Sequence, residues 1–175
     1  MQVPYNNLLT RYSLHSLLLL YPFSFVLSTI FSTYRLSKPI QADNKIYANL
    51  KELCCGTINP STISALTDEE IKSIRTSNAK VNYIRSITEA VTTGKLVFED
   101  LKSLTDDEVS KLLMSVCGIG KWTANMFLIF ILDRPDILPY EDVAFLQSYK
   151  WLYNTNDRNK ESIKRNARSG NHTHQ

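Results

Sequence analysis

The chain has 175 residues, of which 43% are hydrophobic, 21% charged and 10% aromatic, with three cysteines and a formal net charge of +3. That length and apolar content suit one domain with a real core and exclude a disordered chain. Three cysteines, two of them adjacent (Cys54, Cys55), exclude a disulfide framework, a paired-spacing zinc site and a four-cysteine iron–sulfur cluster, so a reduced, cytoplasmic setting is expected.

Charge is unevenly placed. Arg158, Lys160, Lys164, Arg165 and Arg168 stand against Asp157 and Glu161 after Asn154, and the remainder is formally balanced. Bulk electrostatics therefore gives little support for a nucleic-acid partner, which must be argued from local sites.

In chain order, residues 12–34 lack Asp, Glu, Lys and Arg and contain the run Leu17–Leu20, a span long enough to cross a bilayer. His15, the interspersed serines and threonines, and Pro22 near its middle favour two core helices meeting near Pro22, with no membrane partner. Ile46, Tyr47, Leu50, Leu53 and Cys54 form an apolar stripe stopped by Gly56 and Pro60. Val81, Ile84, Ile87, Thr88 and Val91 form a second, closed by Gly94, and Val109, Leu112, Leu113 and Val116 a third, ending at Gly118. Lys121–Leu132 is apolar almost all round and reads as a central buried helix. Phe145, Tyr149 and Leu152 mark a last helix after Pro139. No segment alternates convincingly at period two, so the fold class is all-α.

Leu66-Thr67-Asp68-Glu69-Glu70-Ile71 and Leu104-Thr105-Asp106-Asp107-Glu108-Val109 share one pattern. Each predicts a capping box, the Thr hydroxyl and the Glu three residues later satisfying free amides at a helix start.

The stretch Leu113-Met114-Ser115-Val116-Cys117-Gly118-Ile119-Gly120-Lys121-Trp122-Thr123-Ala124 runs from an amphipathic helix through Gly-Ile-Gly into a buried one. Two glycines around an aliphatic residue permit a tight hairpin and a close backbone approach to a partner. Amides at the following helix start, beside the positive end of its dipole, suit a phosphate. An ordinary helix–helix turn would use the same residues.

The wider pattern resembles the helix–hairpin–helix DNA glycosylase superfamily, in particular its 3-methyladenine DNA glycosylase II type. The hairpin is followed by Trp122-Thr123-Ala124, the apolar run to Leu132, and the loop Arg134-Pro135-Asp136-Ile137-Leu138-Pro139-Tyr140-Glu141-Asp142. The resemblance covers roughly residues 24–153. It implies an all-α glycosylase fold with an incomplete C-terminal lobe: a helical domain over 1–153, an active-site segment over 105–153, and a basic tail without structure over 154–175.

By position, Asp142 matches the family's catalytic aspartate, and as a plain structural residue it is an N-cap candidate, as is Glu141. Trp122 stands where strand-cutting relatives carry a lysine, which implies a monofunctional enzyme with Trp122 in the base pocket or, alternatively, in the core. Gly118, Ile119, Gly120 and Lys121 are expected to hold a DNA phosphate. The main-chain carbonyls of Met114, Val116 and Ile119 match positions that coordinate a monovalent cation in the family; no other cofactor is expected. The implied activity is hydrolysis of the N-glycosidic bond of alkylated purines such as 3-methyladenine, in base excision repair. The implied partner is double-stranded DNA containing damaged bases, bound by a monomer, nucleoid-associated in a bacterium. The alternative is a catalytically dead helix–hairpin–helix DNA-binding remnant.

Overall fold

A computed structural model of the protein describes residues 22–31 and 40–169. The described residues form nine α-helices and one 3-10 turn, with no strand. They are α1 (Pro22–Phe31), α2 (Ile40–Leu53), α3 (Pro60–Ser64), α4 (Asp68–Ser73), α5 (Asn78–Thr92), the 3-10 turn Asp100–Ser103, α6 (Asp106–Met114), α7 (Lys121–Phe130), α8 (Val143–Leu152) and α9 (Lys160–Ser169).

Local chemistry starts many of these helices. Both expected capping boxes form: Thr67 Oγ1 accepts from Glu70 N and Glu70 Oε2 from Thr67 N, and Thr105 and Glu108 repeat the arrangement. In each pair the hydrogen bonds donated by the threonine hold the glutamate below its ordinary titration range. A third box opens α3, where Asn59 Oδ1 accepts from Thr62 N and Thr62 Oγ1 from Asn59 N. Pro60 therefore begins a helix as well as following one. Its missing N–H is an orphan donor at that position anyway, so it serves as well inside a start as after a stop.

Helix α7 is buried from Thr123 to Leu128 and packs against α6 and α1. Phe127, fully buried, stacks on Phe98 at 5.6 Å between centroids and meets the edge of Phe25 on α1 at 6.3 Å. Helix α1 also packs against α2 and α5, α5 against α3 and α4, and α6 lies along α7. Arg85 on α5 donates Nη1 to Ile63 O at 3.0 Å and pairs with Asp68 at 2.8 Å, fastening α3 and α4 to it. Helix α1 starts at Pro22 and buries Phe23, Phe25, Val26, Leu27 and Ile30, as a core helix does. Among the described residues no helix is long and apolar enough to cross a membrane. The rest of the 12–34 span, and His172 and His174, lie outside the described residues.

The segment expected to be a structureless tail differs from that expectation. A ladder of side-chain acceptors leads out of α8: Thr155 Oγ1 accepts from Asp157 N, Asp157 Oδ1 from Asn159 N, and Asn159 Oδ1 from Glu161 N, at 3.1, 2.8 and 2.9 Å. The Asn159 N–H holds the Asp157 carboxyl below its usual range, helped by the Ser162 hydroxyl and Arg165. Helix α9 follows, with Ile163 fully buried. Asn166 Nδ2 donates to the Tyr149 hydroxyl at 2.8 Å, and the Tyr153 hydroxyl donates to Asn166 O at 3.1 Å. One isoleucine and an asparagine clasped by two tyrosines dock the helix, a device that counting apolar residues misses.

Candidate active site

The hairpin is built by two glycines with different duties. Gly118 has φ +92°, and a Cβ there would lie 2.4–2.7 Å from ring and Cβ atoms of Tyr83 on α5. Any side chain would be strained and would also collide with α5. Gly120, extended at φ −96° and ψ 176°, is the N-cap of α7 and has open space where a Cβ would stand. Ile119 between them is buried, as is Val116, so the turn is pinned to the core from inside. Gly120 has no side chain to cap α7, which leaves amides of its first turn without a side-chain acceptor. Lys121 is exposed. The Val116 carbonyl accepts from Ile119 N at 3.1 Å.

Helix α7 then presents Trp122 and Asn125, three residues apart and so on one face. The loop after it runs from the start of α6 back to Trp122. Arg134 anchors that loop by donating Nη2 to Lys102 O and Leu104 O, at 3.1 and 3.0 Å, and by pairing with Asp106 at 3.4 Å. The loop ends at Asp142, whose N–H donates to Pro139 O at 2.8 Å.

Asp142 is fully buried. Its Oδ1 accepts from Phe145 N at 2.9 Å as the N-cap of α8, and its Oδ2 accepts from Trp122 Nε1 at 2.8 Å. A buried carboxylate is tolerable only when donors replace water, and the start of a helix adds a favourable dipole. The capping reading of Asp142 is met through Oδ1, while Oδ2 is held by Trp122. The core reading of Trp122 holds in part, since it packs against the core, while its N–H addresses Asp142.

Glu141 plays no capping part. Its Oε2 accepts from Asn125 Nδ2 at 3.1 Å, and its Oε1 lies 3.7 Å from Lys160 Nζ at the start of α9. The same ammonium stands 5.4 Å from the centroid of the Tyr140 ring, within cation–π reach. Asn125 is 4% exposed, and an unpartnered amide at that depth would cost about 1–3 kcal/mol. The structure therefore brings Trp122 and Asp142 together beside Gly118–Lys121, and adds Asn125, Glu141 and Lys160, whose joint role the sequence reading missed. An asparagine inside an otherwise apolar helix was the available signal. Met126, one turn after Trp122, is core. Among the described residues no group of three or more His, Cys, Asp or Glu side chains gathers as a metal site.

Comparison with known proteins agrees with this architecture. The profile of the HhH-GPD superfamily of base excision DNA repair proteins matches residues 39–171, most of the chain and all of the site. The chain is 32% identical over 95 residues to DNA-3-methyladenine glycosylase 1 of Schizosaccharomyces pombe, a match covering 54% of this chain and 42% of that protein. Matches to curated relatives span only 31–42% of their length. The fold superposes on the crystal structure of a DNA-3-methyladenine glycosidase from Bacillus halodurans with a TM-score of 0.74 and 32% identity, over 83% of this chain and 67% of that one. It also superposes on S. pombe 3-methyladenine DNA glycosylase in complex with abasic DNA, with a TM-score of 0.67 and 28% identity, over 76% and 65% of the two chains. With the profile match running over residues 39–171, this chain belongs to the HhH-GPD superfamily of base excision DNA repair proteins.

Proposed function

We propose that this protein removes alkylated purines such as 3-methyladenine from double-stranded DNA by hydrolysing the N-glycosidic bond, leaving an abasic site. The observation that carries this reading is the buried Asp142 carboxylate, hydrogen-bonded to Trp122 two residues beyond the Gly118–Gly120 hairpin. Its named relatives are 3-methyladenine glycosylases, and one of them is seen with abasic DNA.

The chemistry follows from the substrate. Alkylation at a ring nitrogen of adenine leaves a cationic base, already a good leaving group, so no strong general acid is required. A carboxylate near the sugar stabilises positive charge developing as the bond breaks, or takes a proton from the attacking water. The flipped base enters a pocket where the indole face of Trp122 favours the cationic form. Asp142 Oδ1 accepts from the α8 amide and Oδ2 from the Trp122 indole N–H, and the two bonds hold the carboxylate in one orientation while the glycosidic bond breaks. With tryptophan at position 122, no amine is available there for strand cleavage, and the enzyme is monofunctional.

The hairpin supplies the grip. Gly120 admits backbone close to a phosphate, the first amides of α7 donate to it, and Lys121 adds a salt-sensitive charge. The Val116 carbonyl, bonded once to Ile119 N, keeps a second lone pair. The main-chain carbonyls of Met114, Val116 and Ile119 would hold a monovalent cation, which would supply positive charge for a DNA phosphate. Three free thiols, Cys54, Cys55 and Cys117, suit a reducing cytoplasmic compartment.

A second reading has one specific observation in its favour. Asp142 is wholly buried with both oxygens engaged, which also suits a protein that binds DNA through the hairpin without catalysis. Release of base from alkylated duplex DNA, compared between wild type and Asp142→Asn, separates them. We expect release by wild type and its loss in the variant, with duplex affinity retained. Folded wild type that binds duplex and releases nothing would overturn the catalytic reading.

A further inference from the structure

We infer that Asn125 and Glu141 act together as positioning residues for Asp142, forming with Trp122 a two-point clamp that fixes the orientation of the loop carboxylate; the inference rests on Asp142 as the reactive group. Glu141 and Asp142 are consecutive on the loop, and each side chain is bonded to α7, Glu141 to Asn125 and Asp142 to Trp122. The two α7 anchors are three residues apart, about 4.5 Å along a helix. A single bond to Trp122 would let the loop end swivel about the cap of α8. Two bonds one turn apart fix its direction as well as its place.

The clamp has an internal and an external end. Asn125 is buried within α7 and belongs to the core. Glu141 is part-exposed, and its second oxygen faces Lys160 of α9 across 3.7 Å. Lys160 also sits over Tyr140, the neighbour of Glu141, so α9 closes the clamp from outside. Lys160 is largely exposed and contributes as a guide; the part-buried Asn125–Glu141 bond sets the geometry.

The test uses the polarity of that bond. Asn125→Asp sets two carboxylates against each other, and Glu141→Ala removes the acceptor. The double variant Asn125→Asp/Glu141→Gln restores a single amide–carboxylate bond with its direction reversed. We expect each single variant to lower single-turnover base release about tenfold, with duplex affinity within about twofold of wild type, and the double variant to recover most of the loss. A side-chain pair that only stabilises the fold would change the melting temperature and leave the rate per folded molecule unchanged, which would overturn the inference.

A second readout needs no activity. In a Trp151→Phe background the remaining indole N–H resonance is that of Trp122. Its chemical shift and exchange protection should change in both single variants and return in the double variant. An indole signal indifferent to all three sinks the clamp even if no base is released. Asp142→Asn serves as the separate control: if it keeps full base release, the assignment of Asp142 fails, whatever the clamp variants show.

Discussion

The two sides of the candidate site are held by different physics. On one side, α6, the hairpin and α7 form an apolar seam: Val109, Leu113, Val116, Ile119 and six consecutive residues of α7 are buried. On the other, α8 and α9 bury little beyond Tyr149 and Ile163, and rely on Asn166 between two tyrosines, the Glu141–Lys160 pair and the capped Asp142. Apolar burial is non-directional and cooperative with the whole core, whereas hydrogen bonds and part-exposed ion pairs are directional, local and individually modest. The hairpin side should open only with global unfolding, and the α8–α9 side should open by itself.

The sharpest way to break this contrast is Gly118→Ala. Left-handed strain plus the collision with Tyr83 should cost about 3 kcal/mol and lower the global melting temperature. Adding Tyr83→Ala should return the collision part and keep the strain, a difference that denaturant titration resolves. Next comes Ile163→Ala, expected to cost about 2 kcal/mol, at the low end for a buried isoleucine because α9 can let go of the body. Hydrogen exchange should show the loss in α9 alone. An equal loss of protection in α7 would erase the distinction between the two sides. Thr105→Ala should follow at about 1 kcal/mol through the lost cap of α6, read from chemical denaturation.

The smallest effect is in pH. Glu70 and Glu108 titrate below their ordinary range when folded, so the unfolded chain binds protons first as pH falls. Their stabilisation is complete above the ordinary glutamate range and disappears as pH drops through the lower, folded values. Thr67→Ala and Thr105→Ala together should flatten that part of the acid stability curve; an unchanged slope would remove the boxes as its cause.

The hairpin side was the more legible in the sequence for the same reason it is the more robust. Stripes such as Val81, Ile84 and Ile87, or Val109 and Leu113, announce helices by period, and Gly118 announces a conformation that other residues reach only under strain. Asp142 was singled out by the resemblance of its loop to the family pattern. Its bond to Trp122 was not legible, because the contact joins residues twenty apart through a loop whose path depends on Arg134 reaching the carbonyls of Lys102 and Leu104. Helix α3 hid behind Pro60, which reads equally well as a stop. Helix α9 hid because a single buried isoleucine leaves no stripe, although the spacing of Thr155, Asp157 and Asn159 wrote its start in polar residues.

The two hairpin glycines also define a filter for mutational surveys. A collection of variants selected only for being folded should tolerate small residues at 120, where nothing crowds the missing Cβ, and reject them at 118. The same collection selected for gripping duplex DNA should reject both. The gap between the two tolerance profiles at position 120 would test the proposed phosphate contact of the hairpin without a co-crystal.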